Sequence, residues 1–121
     1  MTGKPEQLGH YIGGRRVAGA SGRTAPVFNP ALGVATTQVA LASANETRSV
    51  IANARAALPE WSDTPALRRA RVLFRFRDLI EQHTDEIAGI LTREHGKVLA
   101  DARGEVTRGL EIVEFACGIP Q

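Results

Sequence analysis

The chain has 121 residues, 43% of them hydrophobic, with one Cys, six Pro, and 15 Lys or Arg against 13 Asp or Glu. That composition excludes collagen, a disulfide scaffold and a strongly disordered chain, and the length supports at most one modest core. The formal charge of +2 comes from thirteen Arg and two Lys, balanced locally by acids, so it does not mark a nucleic-acid binder.

Tyr11-Ile12-Gly13-Gly14-Arg15-Arg16-Val17 reads as a hairpin near residues 10 to 18, because paired glycines accept the positive φ of a tight turn. Residues 18 to 22 form a loop, Thr24 to Asn29 is extended before Pro30, and Val34 to Leu41 is the best remaining strand. Beyond Ser43 the pattern becomes helical. Ser43-Ala44-Asn45-Glu46 matches a capping box, and Val50, Ile51, Ala54 and Leu58 follow at helical spacing until Pro59. Thr64-Pro65 signals a second helix running to about His83, with Thr64 as its cap. Asp85 to Glu94 continues as a short helix or a kinked extension, with Gly96 placed to end it in the left-handed conformation, and the last helix runs from about Leu99 to Cys117. The expected architecture is therefore a hairpin and strands over 10–42 and a helical cluster over 43–118. Two to four short strands make a poor sheet alone, and the last helix has no element after it to cover its apolar stripe. The expectation is a fragment, the beginning of something larger.

No stretch resembles a secretory signal, no apolar run approaches the ~18 residues of a membrane span, and a single Cys cannot close an internal disulfide. The expected compartment is the cytoplasm, with neither membrane nor nucleic acid as partner.

Leu99, Ala102, Val106, Leu110, Val113 and Cys117 share one stripe of the last helix, which reads as core. Cys117, at a helix C-terminal end, is expected to be buried and inert, since a nucleophilic thiol needs exposure and an electropositive setting. Arg108 sits opposite that stripe, with Gly104 one turn before it and Ile112 and Phe115 following on the same side. Two readings stand. Arg108 lines a cleft and binds a carboxylate in a bidentate fork, or it pairs with Glu105 and Glu111 on a solvated surface, the commoner fate of Arg.

On the second helix Arg68, Arg71 and Arg75 form a solvated ridge in which Arg75 and Asp78 are able to pair. Arg77 falls near the centre of the apolar arc made by Leu67, Ala70, Leu73, Phe74 and Ile80, so it is expected to be buried with a partner. Trp61 reads as an aromatic anchor for an interhelix turn. His10, His83 and His95 lack metal-ligand spacing, and no GxGxxG follows a strand, so no metal ligand, catalytic residue or cofactor-binding residue is assigned.

The order Tyr11-Ile12-Gly13-Gly14, Asn29-Pro30-Ala31, Trp61 and Glu94-His95-Gly96-Lys97 resembles the N-terminal segment of the aldehyde dehydrogenases. The run Ala100-Asp101-Ala102-Arg103-Gly104-Glu105-Val106-Thr107-Arg108-Gly109-Leu110-Glu111, with Val113-Glu114-Phe115-Ala116, is similar to their CoA-acylating methylmalonate-semialdehyde branch. The resemblance implies an α/β superfamily fold and a longer NAD-dependent, homo-oligomeric enzyme that oxidises malonate or methylmalonate semialdehyde to acetyl- or propionyl-CoA. The catalytic cysteine and the NAD and CoA sites would lie beyond Gln121, so this chain is expected to be inactive alone and to bind neither cofactor. Its partners would be the rest of that enzyme or a second copy. The resemblance also implies that Arg108 holds the substrate carboxylate. The competing expectation, from a different class, is a small non-catalytic helical interaction module.

Overall fold

The computed structural model describes residues 6–120. Internal contacts divide the chain into two units, Met1–Glu60 and Trp61–Gln121.

The first unit holds five strands and most of a helix. Strands β1 (Glu6–Leu8), β5 (Val34–Ala40) and β4 (Thr24–Asn29) form one sheet in the order β1-β5-β4, with β1 parallel and β4 antiparallel to β5. Pro26, which has no N–H to donate, lies on the edge strand β4, where that loss is tolerated. Strands β2 (His10–Ile12) and β3 (Arg15–Val17) form the expected hairpin, with His10 opposite Val17. Its two turn residues, Gly13 and Gly14, have φ of 58° and 78°, which glycine alone adopts readily. The hydroxyl of Tyr11 donates to the carbonyl of Gly14 at 2.9 Å and braces the turn.

Helix α1 (Ala44–Asp63) begins as the capping box requires. The Ser43 amide donates to Glu46 Oε2 at 2.8 Å, and the Glu46 amide donates to Ser43 Oγ at 3.2 Å. The second carboxylate oxygen does more than a capping box asks. Glu46 Oε1 accepts from the Ala20 amide at 2.6 Å, so one side chain caps the helix and holds the loop before β4. These hydrogen bonds, from the Ser43 amide first and then that of Ala20, lower the Glu46 carboxyl to about 2.

The end of α1 and the start of α2 differ from the sequence expectation. Helix α1 continues through Pro59 to Asp63, because the ring removes a single intrahelical donor and the chain resumes helical bonding for one more turn. Helix α2 (Ala66–Gln82) starts one residue later than expected. Pro65, not Thr64, occupies its cap with an extended ψ of 138°, and the Pro65 carbonyl accepts from the amides of Arg68 and Arg69.

The second unit is built on α4 (Leu99–Gly118), which packs against both α2 and α3 (Thr84–His95). His83, at φ −108° and ψ 16°, separates α2 from α3. Gly96 ends α3 at φ 86°, and its amide returns to the Thr92 carbonyl at 2.9 Å, the left-handed cap expected there. The core between α3 and α4 is made of small side chains, Ala88, Ala102 and Val106, flanked by Ile80 and Leu91. Among the described residues the fully buried positions hold nothing larger than Val106, whereas Leu67, Phe74, Phe76, Ile112 and Phe115 are exposed. Apolar faces are therefore open on α2 and α4.

Arg77 departs from its expected burial. Its side chain is 31% exposed, and it meets Glu81 at 2.7 Å, Glu114 of α4 at 3.1 Å and Asp78 at 3.3 Å. Three carboxylates hold the guanidinium at the edge of the α2–α4 contact, where its charge keeps part of its hydration. Asp78 thus pairs with Arg77 where the sequence offered Arg75. Trp61 also differs, since it belongs to the last turn of α1 and not to a connecting turn, and it is 46% exposed.

Candidate functional site

The two faces of α4 have different fates. On one, Ala102, Val106 and Cys117 are buried and Leu110 and Val113 half-buried, as the stripe predicts; only Leu99, at the first turn, is exposed. Cys117 is free and only 4% exposed, buried as its place in the stripe predicts. On the other face lie Gly104, Arg108, Ile112 and Phe115. A Cβ built on Gly104 would meet nothing within 4 Å, and Ile112 and Phe115 are 69% and 74% exposed. Helical spacing puts these residues on the same side as Arg108, so the guanidinium stands on an open, semi-apolar surface.

The electrostatics of this face depend on three residues of the second unit. Arg108, 71% exposed in its side chain, has its Nη2 3.9 Å from Glu105 Oε1, too far for a hydrogen bond. Among the described residues it forms no ion pair with Glu111. Glu105 Oε1 instead accepts a hydrogen bond from Lys97 Nζ. The Lys97 side chain is only 17% exposed, against 42% for Glu105, so this pair is the better sheltered of the two. Lys97, by its hydrogen bond and then its charge, holds the Glu105 carboxyl below the ordinary carboxylate range, with smaller contributions from Arg108 and His95. The surface-pairing reading of Arg108 is met only as a loose contact with Glu105.

Arg68, Arg71 and Arg75 are exposed on α2, as a solvated ridge should be. Among the described residues no group of three or more His, Cys, Asp or Glu is arranged to hold a metal ion. Among the described residues no helix is long and apolar enough to cross a membrane. The one passage from strand to helix among them, β5 to α1, would present free amides to a phosphate, but the Glu46 carboxylate already occupies that helix start and would repel an anion.

The described residues thus hold an open, semi-apolar face of α4 with an exposed Arg108 in the second unit, and a hairpin and a short mixed sheet in the first. The chain belongs to the aldehyde dehydrogenase family, whose model matches residues 17–121. It is 49% identical over 113 residues to malonate-semialdehyde dehydrogenase 3 of Geobacillus kaustophilus, covering 93% of this chain and 23% of that protein. It is 47% identical over 114 residues to the malonate-semialdehyde dehydrogenase of Pseudomonas aeruginosa, covering 94% and 23%. Among solved structures, the methylmalonate-semialdehyde dehydrogenase of Oceanimonas doudoroffii superposes with a TM-score of 0.91 at 48% identity, over 95% of this chain and 23% of that one. A Sinorhizobium meliloti protein solved as its NAD complex gives a TM-score of 0.92 at 47% identity, over 97% and 24%. The chain thus spans about a quarter of the length of the relatives it matches.

Proposed function

We propose that this chain is the N-terminal portion of a malonate- or methylmalonate-semialdehyde dehydrogenase, and that Arg108 receives the carboxylate of the semialdehyde. The reaction is NAD-dependent, CoA-acylating oxidation to acetyl- or propionyl-CoA, in a cytoplasmic homo-oligomer. The nucleophile and both cofactor sites belong to other parts of that enzyme, so the 121-residue chain by itself has no turnover. Its partners are the remainder of the dehydrogenase or a second copy, seated on the open faces of α2 and α4. Similarity over more than nine-tenths of the chain favours this reading over an independent helical module.

The observation that carries the reading is the state of Arg108: an exposed guanidinium whose nearest acid is 3.9 Å away and hydrogen-bonded elsewhere. Such a group can donate two parallel N–H bonds to an incoming carboxylate. The test is a chimaera in which residues 1–121 replace the corresponding segment of the Pseudomonas aeruginosa relative. Arg108→Leu should lower kcat/KM for malonate semialdehyde by about 10- to 100-fold, the loss of charge-assisted hydrogen bonds worth ~1.5–3 kcal/mol, and leave propanal nearly unchanged. Equal losses on both substrates would refute it.

A further inference from the structure

Building on the reading of Arg108 as the carboxylate receiver, we propose that Lys97 is a specificity-determining positioning residue: by engaging Glu105 it keeps that carboxylate from pairing with Arg108 and leaves the guanidinium open to the substrate. Glu105 and Arg108 stand three residues apart on α4, the spacing at which an acid and an arginine pair on an isolated helix. A tight pair there would present the substrate with a neutralised arginine and a competing carboxylate.

Lys97 prevents this from outside the helix. The left-handed Gly96 turns the chain out of α3, and Val98 enters α4 in an extended conformation, with φ −67° and ψ 151°. Between them Lys97 is brought against the first turns of α4. Its side chain is mostly covered, so its position is set by packing, unlike that of a mobile surface lysine. The geometry records the outcome: Lys97 Nζ is hydrogen-bonded to the same Oε1 that lies 3.9 Å from Arg108. The depressed Glu105 carboxyl, owed to Lys97 before Arg108, agrees with that division.

Nitrogen-labelled spectra of the full chain test the idea through the Arg108 Nε–H, read as its exchange with water and as its shift on titration with malonate. Lys97→Met should slow the exchange and weaken the malonate response, each by about twofold, the scale of one exposed helical ion pair. Lys97→Met/Glu105→Gln should restore both, which a merely structural loss would not. Glu105→Gln alone keeps Lys97 in place and should leave malonate binding at least as strong as in the wild type. Unchanged exchange in Lys97→Met, no rescue by the double variant, or weaker malonate binding in Glu105→Gln would overturn the proposal. A wild-type chain whose Arg108 ignores malonate would instead refute the substrate role of Arg108, and the ligand-free exchange rates would still decide whether Lys97 withholds Glu105.

Discussion

Val106→Ala isolates the contribution of the α3–α4 seam. Val106 is 9% exposed and packs with Ala88 and Ala102, both fully buried. Removing two methyl carbons forfeits ~0.8 kcal/mol of transfer free energy each. Small neighbours on both helices cannot collapse far into the space, so a cavity cost of ~24 cal/mol per Å³ adds to it, and the total should be about 2 kcal/mol. Val72→Ala makes the same chemical change on α2, at a site 55% exposed, and should cost about 0.5 kcal/mol or less. Urea unfolding followed by helical circular dichroism measures both, at constant slope. If Val106→Ala lowers the midpoint no more than Val72→Ala does, the seam is not where this unit derives its stability.

Two further outcomes follow from the first unit. Glu46 has a folded-state carboxyl at about 2 against an ordinary 4.5, so its contribution is fully present above about 4.5 and is lost as pH falls toward 2. The stability difference between wild type and Glu46→Gln, measured by urea midpoints from pH 7 to pH 2.5, should shrink steadily below pH 4.5; a constant difference would contradict the clamp. Gly19→Ala would place a Cβ 2.6 Å from that of Ala40, which is buried in β5. The overlap should cost about 1–3 kcal/mol, read as a lowered midpoint.

Features encoded within a few residues were legible in the sequence. Gly13-Gly14, the Ser43–Glu46 box and Gly96 each carry a local backbone requirement that only those residue types meet, and each appears where the pattern put it. The buried stripe of α4 was equally legible, because helical periodicity fixes which side chains share a face. Strand β1 was not, since Glu6-Gln7-Leu8 has no alternation of its own and is a strand only through its parallel pairing with β5. The partners of Arg77 were half legible: the sequence required partners, but Glu114 lies 37 positions away and becomes one only when α2 meets α4. At the candidate site the position of Arg108 could be read from spacing. What could not be read was that Lys97, returning from the α3–α4 turn, takes up the acid that Arg108 would otherwise meet.

The double duty of Glu46 bears on how the first unit opens. The amides of Ala20 and Ser43, 23 positions apart, donate to the two oxygens of one carboxylate. Fraying of the first turn of α1 would therefore also free the Ala20 amide, while Ser21 and Arg23 keep the rest of that loop tied to Leu41 and Ala42. A local fluctuation at a helix end is thus felt at an amide 23 positions away in the chain, through one side chain.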